Sequence, residues 1–368
     1  MRIGIFVVMA GRNAGGPETY EHGLVRNLAL LDSDNEYHIY CFSQRAADSF
    51  CLTRPNIFFH VLPPLPRALG MAYHLPRAVK TNGLDFLHAA YIPPPFSPVD
   101  YAFTLHCSST FMRPELFPPL VRWRLNGLIW RGMNTAQQVL CVSANVRDLA
   151  IDNYHVPEDR CSVIYNGVDD HFKPVSKEAQ NLAKDKYGIT KPYMLFVGRF
   201  EPRKNMLRVL EAFNQYRNDI DPDVELVLAG NKTWSGSEVD KTIQRLKLSQ
   251  HVIETAHIPN AELPALYAAA EVFVFPSLWE GFGVPVVEAM ASGTPVLTSN
   301  LSSLPEVSGG AAELINPYSV DEITSGMERI IRHSDHRNDL IKKGLVRAKA
   351  FSWRKTAQQA LEVYRRYS

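Results

Sequence analysis

The sequence predicts an α/β fold made of two Rossmann-like, doubly wound domains facing each other across a cleft. Three observations carry this. Short apolar runs alternate with helix-like stretches from end to end, as a parallel sheet covered on both faces requires. That pattern stops at a polar, proline-flanked segment near residue 173 and then restarts. The chain of 368 residues is also too long for one ordinary domain and suits two.

The first half opens on RIGIFVVM, a near-continuous apolar run read as a first strand, followed by a helix-like stretch from Pro17 to Leu31. Further strand-like runs are YHIYCF, LDFLHAA, YAFTLH, QQVLCVS and CSVIYN, with helical stretches around 115–134 and 144–153. Residues 170–192 read as a linker with a short helix. Six more strands follow in YMLFVG, ELVLAG, HVIET, EVFVFPS, TPVLTS and AAELIN. FSWRKTAQQALEVYRRY carries Phe351, Ala357, Ala360, Leu361 and Tyr364 at helical spacing and either caps the second half or crosses back to the first. The expected division is 1–172, 173–352 and a terminal helix at 353–368. No low-complexity segment or repeat of 20–50 residues is evident.

Composition narrows the function. With 46% hydrophobic and 21% charged residues and a net charge of +1, no field of one sign covers the protein, and nucleic acid is not an expected partner. The five cysteines are scattered, and Cys41, Cys141 and Cys161 sit in or beside apolar runs, which points to buried thiols in a reduced, cytoplasmic setting rather than to disulfides. The N-terminal apolar run ends in a Gly turn without a small-residue cleavage site, so it reads as a strand and not a signal peptide. No apolar stretch approaches the roughly 20 residues that cross a bilayer.

In open α/β sheets, ligands bind beyond the carboxyl ends of the strands, and the chemistry-bearing residues cluster at such ends. SLWEGFGVPVVEAMASGTPV places Glu280 after a strand, then a Gly-rich turn, then a helix opening near Val284–Pro285. The N–H groups of Phe282 and Gly283 at that helix start suit a phosphate. Glu288 in the first turns is placed to reach a second part of the same ligand. The plainer reading is a loop charge and a favourable first-turn acid. In LFVGRFEPRKNMLRVLEAF, Gly198 ends a strand, Arg199 follows, and Lys204 and Asn205 stand where a helix begins. Two cations at that junction suit a diphosphate; otherwise they form a solvated basic loop. After the first strand, MAGRNAGGPETYEHGL has glycines at 11, 15 and 16 and none at 13, a poor match to the dinucleotide fingerprint. Gly15 and Gly16 still allow close backbone approach to a ligand, and a plain turn explains them as well. His106 ends the strand YAFTLH on the presumed cleft side, although a lone His is more often structural. Asn166 and Asp169 lie at the domain junction, where Asn-Gly also makes a turn.

Together these residues resemble retaining glycosyltransferase family 4, which has the GT-B fold. The E-x7-E motif matches as Glu280 to Glu288, and the G-R-x-x-x-x-K-N element as Gly198, Arg199, Lys204 and Asn205. The Gly-rich loop matches as Gly15–Gly16 followed by Glu18, with NGVD at 166–169 and PNAELPALYAAAEVFVFPS at 259–277 also alike. The likeness covers nearly the whole chain and is strongest from about 161 to 308.

The resemblance implies a hexosyl transfer from a UDP- or GDP-sugar to a glycan or lipid-linked saccharide in cell-surface polysaccharide biosynthesis. It implies no metal and no cofactor beyond the donor. Arg199 and Lys204 would stabilise the departing diphosphate, Glu280 would hold donor-sugar hydroxyls beside the amides of Phe282 and Gly283 at the Val284 helix start, and Glu288 would bond the ribose. His106 would lie against the reacting sugar, backbone near His257 and Ile258 would meet the base, Asn166 would lie at the donor site, and Gly16 would approach from the other domain. Family members often carry Asp after this His, whereas Cys107 follows here, which puts an acidic role at that position in doubt. A nicotinamide dehydrogenase is disfavoured by the absent fingerprint; a GT-B epimerase or phosphorylase and a non-catalytic nucleotide-sugar-binding protein stay open. In RPELFPPLVRWRLNGLIWRGM, Arg113, Arg122, Arg124 and Arg131 alternate with Phe117, Trp123 and Trp130. Such a helix either lies on the cytoplasmic face of an anionic inner membrane or packs its apolar side into the domain.

Overall fold

A computed structural model describes the chain apart from residues 13, 14, 64, 65, 233–235, 257 and 368. The chain divides into two compact units, residues 1–167 with 352–368, and residues 168–351.

The first unit holds a seven-stranded sheet whose strands are β1 (Arg2–Phe6), β2 (Glu36–Cys41), β3 (Ile57–Val61), β4 (Phe86–Ala89), β5 (Asp100–Leu105), β6 (Gln138–Cys141) and β7 (Cys161–Val163). Their order is β3-β2-β1-β4-β5-β6-β7 and every pairing is parallel. Order reverses between β1 and β4, so the crevice that such a reversal opens lies beyond their carboxyl ends. The second unit repeats the design with β8 (Tyr193–Val197), β9 (Glu225–Ala229), β10 (Val252–Thr255), β11 (Val272–Phe275), β12 (Val296–Ser299) and β13 (Glu313–Ile315). Its order is β10-β9-β8-β11-β12-β13, again parallel throughout, with the reversal between β8 and β11.

All six strand-like runs of the second half become strands, and the short helix of the linker spans Lys177–Lys186. In the first half, β3 is an addition. IFFHV is an apolar run at the sheet edge, with Phe58 and Val61 exposed. The helix after β1 begins at Gly16 with Pro17 in its first turn.

The chain leaves the first unit after Gly167 rather than near 173, because Ile164 belongs to the first core whereas Phe172 packs edge-on against Tyr267 of the second, with ring centroids 6.1 Å apart. Residues 352–368 belong to the first unit. The helix Trp353–Tyr364 is capped by Ser352, whose Oγ accepts from Lys355 N, and buries Trp353, Ala357, Ala360, Leu361 and Tyr364 in the first core beside Leu24 and Leu28. Phe351 lies before that cap, in the second unit, where it meets Phe282 edge-on at 5.3 Å.

Two glycines of the first unit are dictated by Trp353. A Cβ on Gly23 would stand 2.2 Å from the Trp353 indole, and one on Gly167 would stand 2.2 Å from the Trp353 backbone nitrogen.

Candidate active site

In the second unit, two loops leave the carboxyl ends of β8 and β11, the strands that flank its reversal. After β8 the chain turns at Gly198, passes Arg199 and forms a 3-10 turn over Pro202–Lys204. Asn205 ends this turn in the left-handed conformation (φ 63°), and the helix Met206–Asp219 starts immediately after it. The Asn205 amide donates to the carbonyls of Pro276 (3.0 Å) and Pro317 (2.6 Å), pinning the β8 loop to the segments that follow β11 and β13. A backbone bond from Leu278 N to Arg203 O (2.8 Å) ties the β8 and β11 loops again.

This stitching brings Lys204 and Glu280 together. Lys204 Nζ lies 2.6 Å and Arg203 Nη1 2.7 Å from Glu280 Oε1, and Lys204 and Glu280 are both buried. Arg203 also donates to the Trp279 carbonyl (2.9 Å), and Lys204 Nζ stands 4.4 Å from the centre of the Phe275 ring, over its face. Burial by itself would raise the Glu280 pKa, but the charges of Arg203 and Lys204 outweigh it and bring the carboxyl down to about 2. Burial lowers the Lys204 pKa, against the pull of Glu280. Glu201 continues the alternation of charge, 3.4 Å from Arg199 Nε and 3.4 Å from Arg203 Nη2, with Arg199 half-exposed.

Beyond Glu280 the turn reaches Gly283 (φ 98°), which precedes the helix Val284–Ala291. A side chain there is excluded twice, by the backbone angle and because a Cβ would come within 2.7 Å of Leu304. Ser302 accepts from Glu280 N (3.0 Å), and Ser303 donates to the carbonyls of Glu280 (3.0 Å) and Phe282 (3.1 Å), so the turn is fixed from below. Glu288 is buried on the following helix and accepts a bond from the Tyr267 hydroxyl at 3.1 Å. Burial pushes its pKa up to about 7; the Tyr267 bond works against this, and Asp169 adds to it. Ile258 and Val284 are buried, and His257 lies outside the described residues.

In the first unit the corresponding positions are the loops after β1, β4 and β5. His106 follows β5, and its Nε2 lies 2.8 Å from the Ala90 carbonyl beyond β4. A carbonyl only accepts, so Nε2 carries the proton and Nδ1 is the acceptor. Burial lowers the His106 pKa to about 4, so the ring is neutral. The loop after β1 is held by two acids of the helix Gly16–Leu31. Glu21, fully buried, accepts from Val8 N (2.8 Å), Met9 N (2.9 Å) and Ala10 N (2.7 Å), and Glu18 accepts from Gly11 N at 2.8 Å. Gly15 has φ 72°, and a Cβ on Gly15 or Gly16 would meet no described atom within 4 Å, so backbone is open to a ligand there. Asn166 is buried beside Gly167.

The structure therefore joins Lys204 with Glu280 and sets Glu288 on the helix that follows, all in the second unit, and places His106, Gly16 and Asn166 in the first. Arg203 and Glu201 are additions to the residues singled out in the sequence; their signal was the alternation of charge in RFEPRK. Glu21 and Tyr267 had no local signal, since an acid three residues past Glu18 or a tyrosine within an apolar helix is unremarkable in sequence.

Comparison with known proteins decides the family. The profile of the group 1 glycosyl transferases matches residues 179–347, and that of glycosyltransferase family 4 matches residues 14–172. O-antigen chain mannosyltransferase B of Escherichia coli is 32% identical over 264 residues, covering 71% of this chain and 69% of that protein. The chain belongs to the group 1 glycosyl transferases. Serotype-specific mannosyltransferase WbdA of Escherichia coli is 31% identical over 235 residues, but the chain spans only 29% of its length. The crystal structure of Anabaena Alr3699/HepE in complex with UDP-glucose aligns over 99% of this chain and 99% of that one with a TM-score of 0.80 at 20% identity, a likeness of fold. The GT-B fold and the glycosyltransferase class expected from Glu280–Glu288 and Gly198–Asn205 are thus borne out. Among the described residues no helix is long and apolar enough to cross a membrane.

Proposed function

We propose that this glycosyltransferase moves a hexose, with retention at the anomeric carbon, from a UDP- or GDP-sugar to a saccharide or lipid-linked saccharide in cell-surface polysaccharide biosynthesis. Mannose is the favoured hexose, because the E. coli relatives are named as mannosyltransferases. The observation that carries the reading is the Lys204–Glu280–Arg203 cluster at the reversal point of the second sheet, with Lys204 and Glu280 buried.

The bond to break joins the anomeric carbon to a diphosphate oxygen, so the main task is to stabilise negative charge on the leaving group. In this reading Arg199 and Lys204 do that work in place of a metal ion, aided by the amides of Phe282 and Gly283 at the start of the Val284 helix. Glu280, kept ionised by its cations, accepts from donor-sugar hydroxyls. Glu288, whose carboxyl titrates near neutrality, meets the ribose diol. Ile258 and its neighbour His257 face the base, Asn166 and Gly16 serve donor or acceptor from the first unit, and His106 lies against the reacting sugar. No carboxylate is assigned as a nucleophile, so the acceptor attacks from the same face as the leaving diphosphate.

A peripheral site on the cytoplasmic face of the inner membrane belongs to the same proposal. The helix Pro119–Thr135 buries only Gly132 and Met133, and leaves Leu120, Trp123 and Trp130 at 76%, 77% and 61% exposure among its arginines. That arrangement suits an anionic bilayer carrying a lipid-linked acceptor.

A thermal-shift screen against UDP-, GDP- and ADP-sugars tests the donor, since only a matched ligand stabilises the folded state by mass action. Stabilisation by one donor, with nucleoside diphosphate released only when acceptor is present, is the expected result. Stabilisation by none of them overturns the assignment, and an inverted anomer in the product overturns retention.

A further inference from the structure

A chain of buried polar groups runs through the first unit to His106. The Tyr364 hydroxyl, on the terminal helix, lies 2.5 Å from His88 Nδ1 on β4. His88 Nε2 lies 2.6 Å from Thr104 Oγ1 on β5, and Thr104 Oγ1 lies 3.0 Å from the Tyr20 hydroxyl on the helix Gly16–Leu31. Tyr20, His88, Thr104 and Tyr364 are all buried, with relative exposures of 0 to 1%. The Tyr20 ring then stands edge-on to the His106 ring, with centroids 4.6 Å apart and planes at 83°. The network is internal, remote in sequence, and joins four separate elements.

Such an arrangement is costly unless it is fully satisfied, because each unpaired polar group in a dry interior loses its hydration without replacement. A simple hydrophobic plug would fill the same space. What the network adds is orientation. A tyrosine ring turns about its χ angles unless its hydroxyl is anchored, and Thr104 anchors this one. A neutral His88 donates through one ring nitrogen and accepts at the other, so it couples Tyr364 to Thr104. The Tyr20 ring stands perpendicular to His106, the Tyr91 ring lies tilted 5.4 Å away, and the Ala90 carbonyl accepts the hydrogen bond from Nε2–H. Between them these contacts fix both the plane and the tautomer of His106.

We infer that Tyr20, anchored through Thr104 and His88 to Tyr364, is a positioning residue that holds His106 in its Nε2–H tautomer and presents Nδ1 as a hydrogen-bond acceptor to the substrate. The inference rests on the proposed place of His106 beside the reacting sugar. It assigns the terminal helix a part in setting the active-site imidazole and gives a chemical class to the group recognised by His106: a donor, such as a sugar hydroxyl.

The experiment compares Tyr20→Phe, Tyr364→Phe and Tyr20→Leu with the unaltered chain, using nitrogen NMR of the labelled imidazoles, melting temperature and steady-state kinetics. Tyr20→Phe keeps the ring and loses only the anchor; Tyr364→Phe removes the far end of the chain. In the unaltered protein His106 should show a protonated Nε2 and an unprotonated Nδ1. Each Phe variant should move these signals toward a tautomer mixture and lower kcat about tenfold, with the donor KM within about twofold, as expected for misplacement of a reacting-centre contact. Tyr20→Leu should lower kcat further. If the His106 signals and kcat stay as in the unaltered chain, or if kcat falls only in step with melting temperature while the tautomer is unchanged, the positioning role is wrong. The tautomer is read without turnover, so its failure is distinguishable from failure of the glycosyltransfer proposal, which shows instead as absence of nucleotide-sugar binding in a protein whose His106 signals are as expected.

Discussion

Lys204 Nζ and Glu280 Oε1 are 2.6 Å apart, buried, and supplied by two loops that meet at the reversal point of the second sheet. Removing either partner leaves a charge in a dry site, which costs about 3–5 kcal/mol in typical buried pairs. The partners are not equivalent, however. Arg203 still faces Glu280 when Lys204 is lost, so Lys204→Met should retain a folded second unit, with a loss of stability nearer the lower end of that range. Its kcat should fall by about 10² to 10³, the scale for deleting one preorganised donor opposite developing negative charge. Glu280→Gln should leave the buried Lys204 without its carboxylate and Arg203 with Glu201 alone, and lower the melting temperature more. Melting curves and initial rates on the two variants check the order; a Lys204→Met enzyme with unaltered kcat sinks the leaving-group role.

Glu288 has its pKa raised by burial from 4.5 to about 7. A raised carboxyl means the folded state binds the proton more tightly than the unfolded chain does. Its contribution to stability is therefore complete below about 4.5 and is lost as pH rises through about 7. Glu288→Gln, which mimics the neutral form, should melt close to the unaltered protein at pH 5 and above it at pH 8. Glu21, pushed up by burial to about 8, loses stabilisation over a window reaching higher, so the informative quantity is the difference between the two proteins at each pH. A difference that does not change between pH 5 and 8 removes the titration from Glu288.

Acid should act on the first unit in the opposite sense. Burial lowers the pKa of His88 from 6.5 to about 3 and that of His106 from 6.5 to about 4. Both rings fold in the neutral form, so their contribution is present above about 6.5 and disappears as pH falls toward those depressed values. Loss of the near-ultraviolet aromatic signal of Tyr20 and Trp353, which stand 6.1 Å apart in this core, should track that window. In His88→Gln the acid limb should become shallower, even though the variant is less stable at pH 7. An unchanged acid limb shows that other groups set it.

How much of this could be read beforehand depends on whether a feature is local. The second half of the chain gave up all six strands: β8, β9, β11 and β12 are short buried runs, and the edge strands β10 and β13 still carry paired apolar residues between polar ones. β3 was passed over although IFFHV is as apolar as its neighbours; its edge position, with Phe58 and Val61 exposed, shows only in the fold. Phe351 shares the helical spacing of the last helix, so spacing alone left open which unit the terminal stretch joins; the Ser352 cap ends the second unit at Phe351 and sends the helix to the first. Lys204 and Glu280 were legible because charged residues at strand ends beside Gly and Pro are unusual enough to notice. Tyr20, His88, Thr104 and Tyr364 were not, because only the sheet order brings them within hydrogen-bond reach.

Trp353 makes a sharper packing prediction. A Cβ on Gly23 would strike its indole, a side chain, whereas a Cβ on Gly167 would strike its backbone nitrogen and the Ser352 carbonyl carbon at 2.2 and 2.5 Å. Overpacking of this kind costs about 1–3 kcal/mol where neighbours can shift. Gly23→Ala should therefore be destabilising and partly relieved by Trp353→Leu, while Gly167→Ala should be more destabilising and gain nothing from the same second change. Thermal melts of the three single and two double variants form the two cycles. Equal relief in both pairs would mean that the backbone near Ser352 yields as readily as the indole.

The helix Pro119–Thr135 supplies the last prediction. Trp123 is 77% exposed and Trp130 61%, so neither contributes much burial to the first core, and truncating both should leave the melting temperature nearly unchanged. A helix that merely carries solvated arginines would then show no other phenotype. A helix that lies on an anionic surface would lose both the apolar insertion of its indoles and part of its hold on the headgroups, since the aromatic side and the arginines act together. Sedimentation with vesicles of phosphatidylglycerol and phosphatidylethanolamine should pull down the unaltered protein, less of it at high salt, and markedly less of Trp123→Ala/Trp130→Ala. Binding that is unaffected by the double change but abolished by salt assigns the contact to charge alone, and no binding at all places this face in solution.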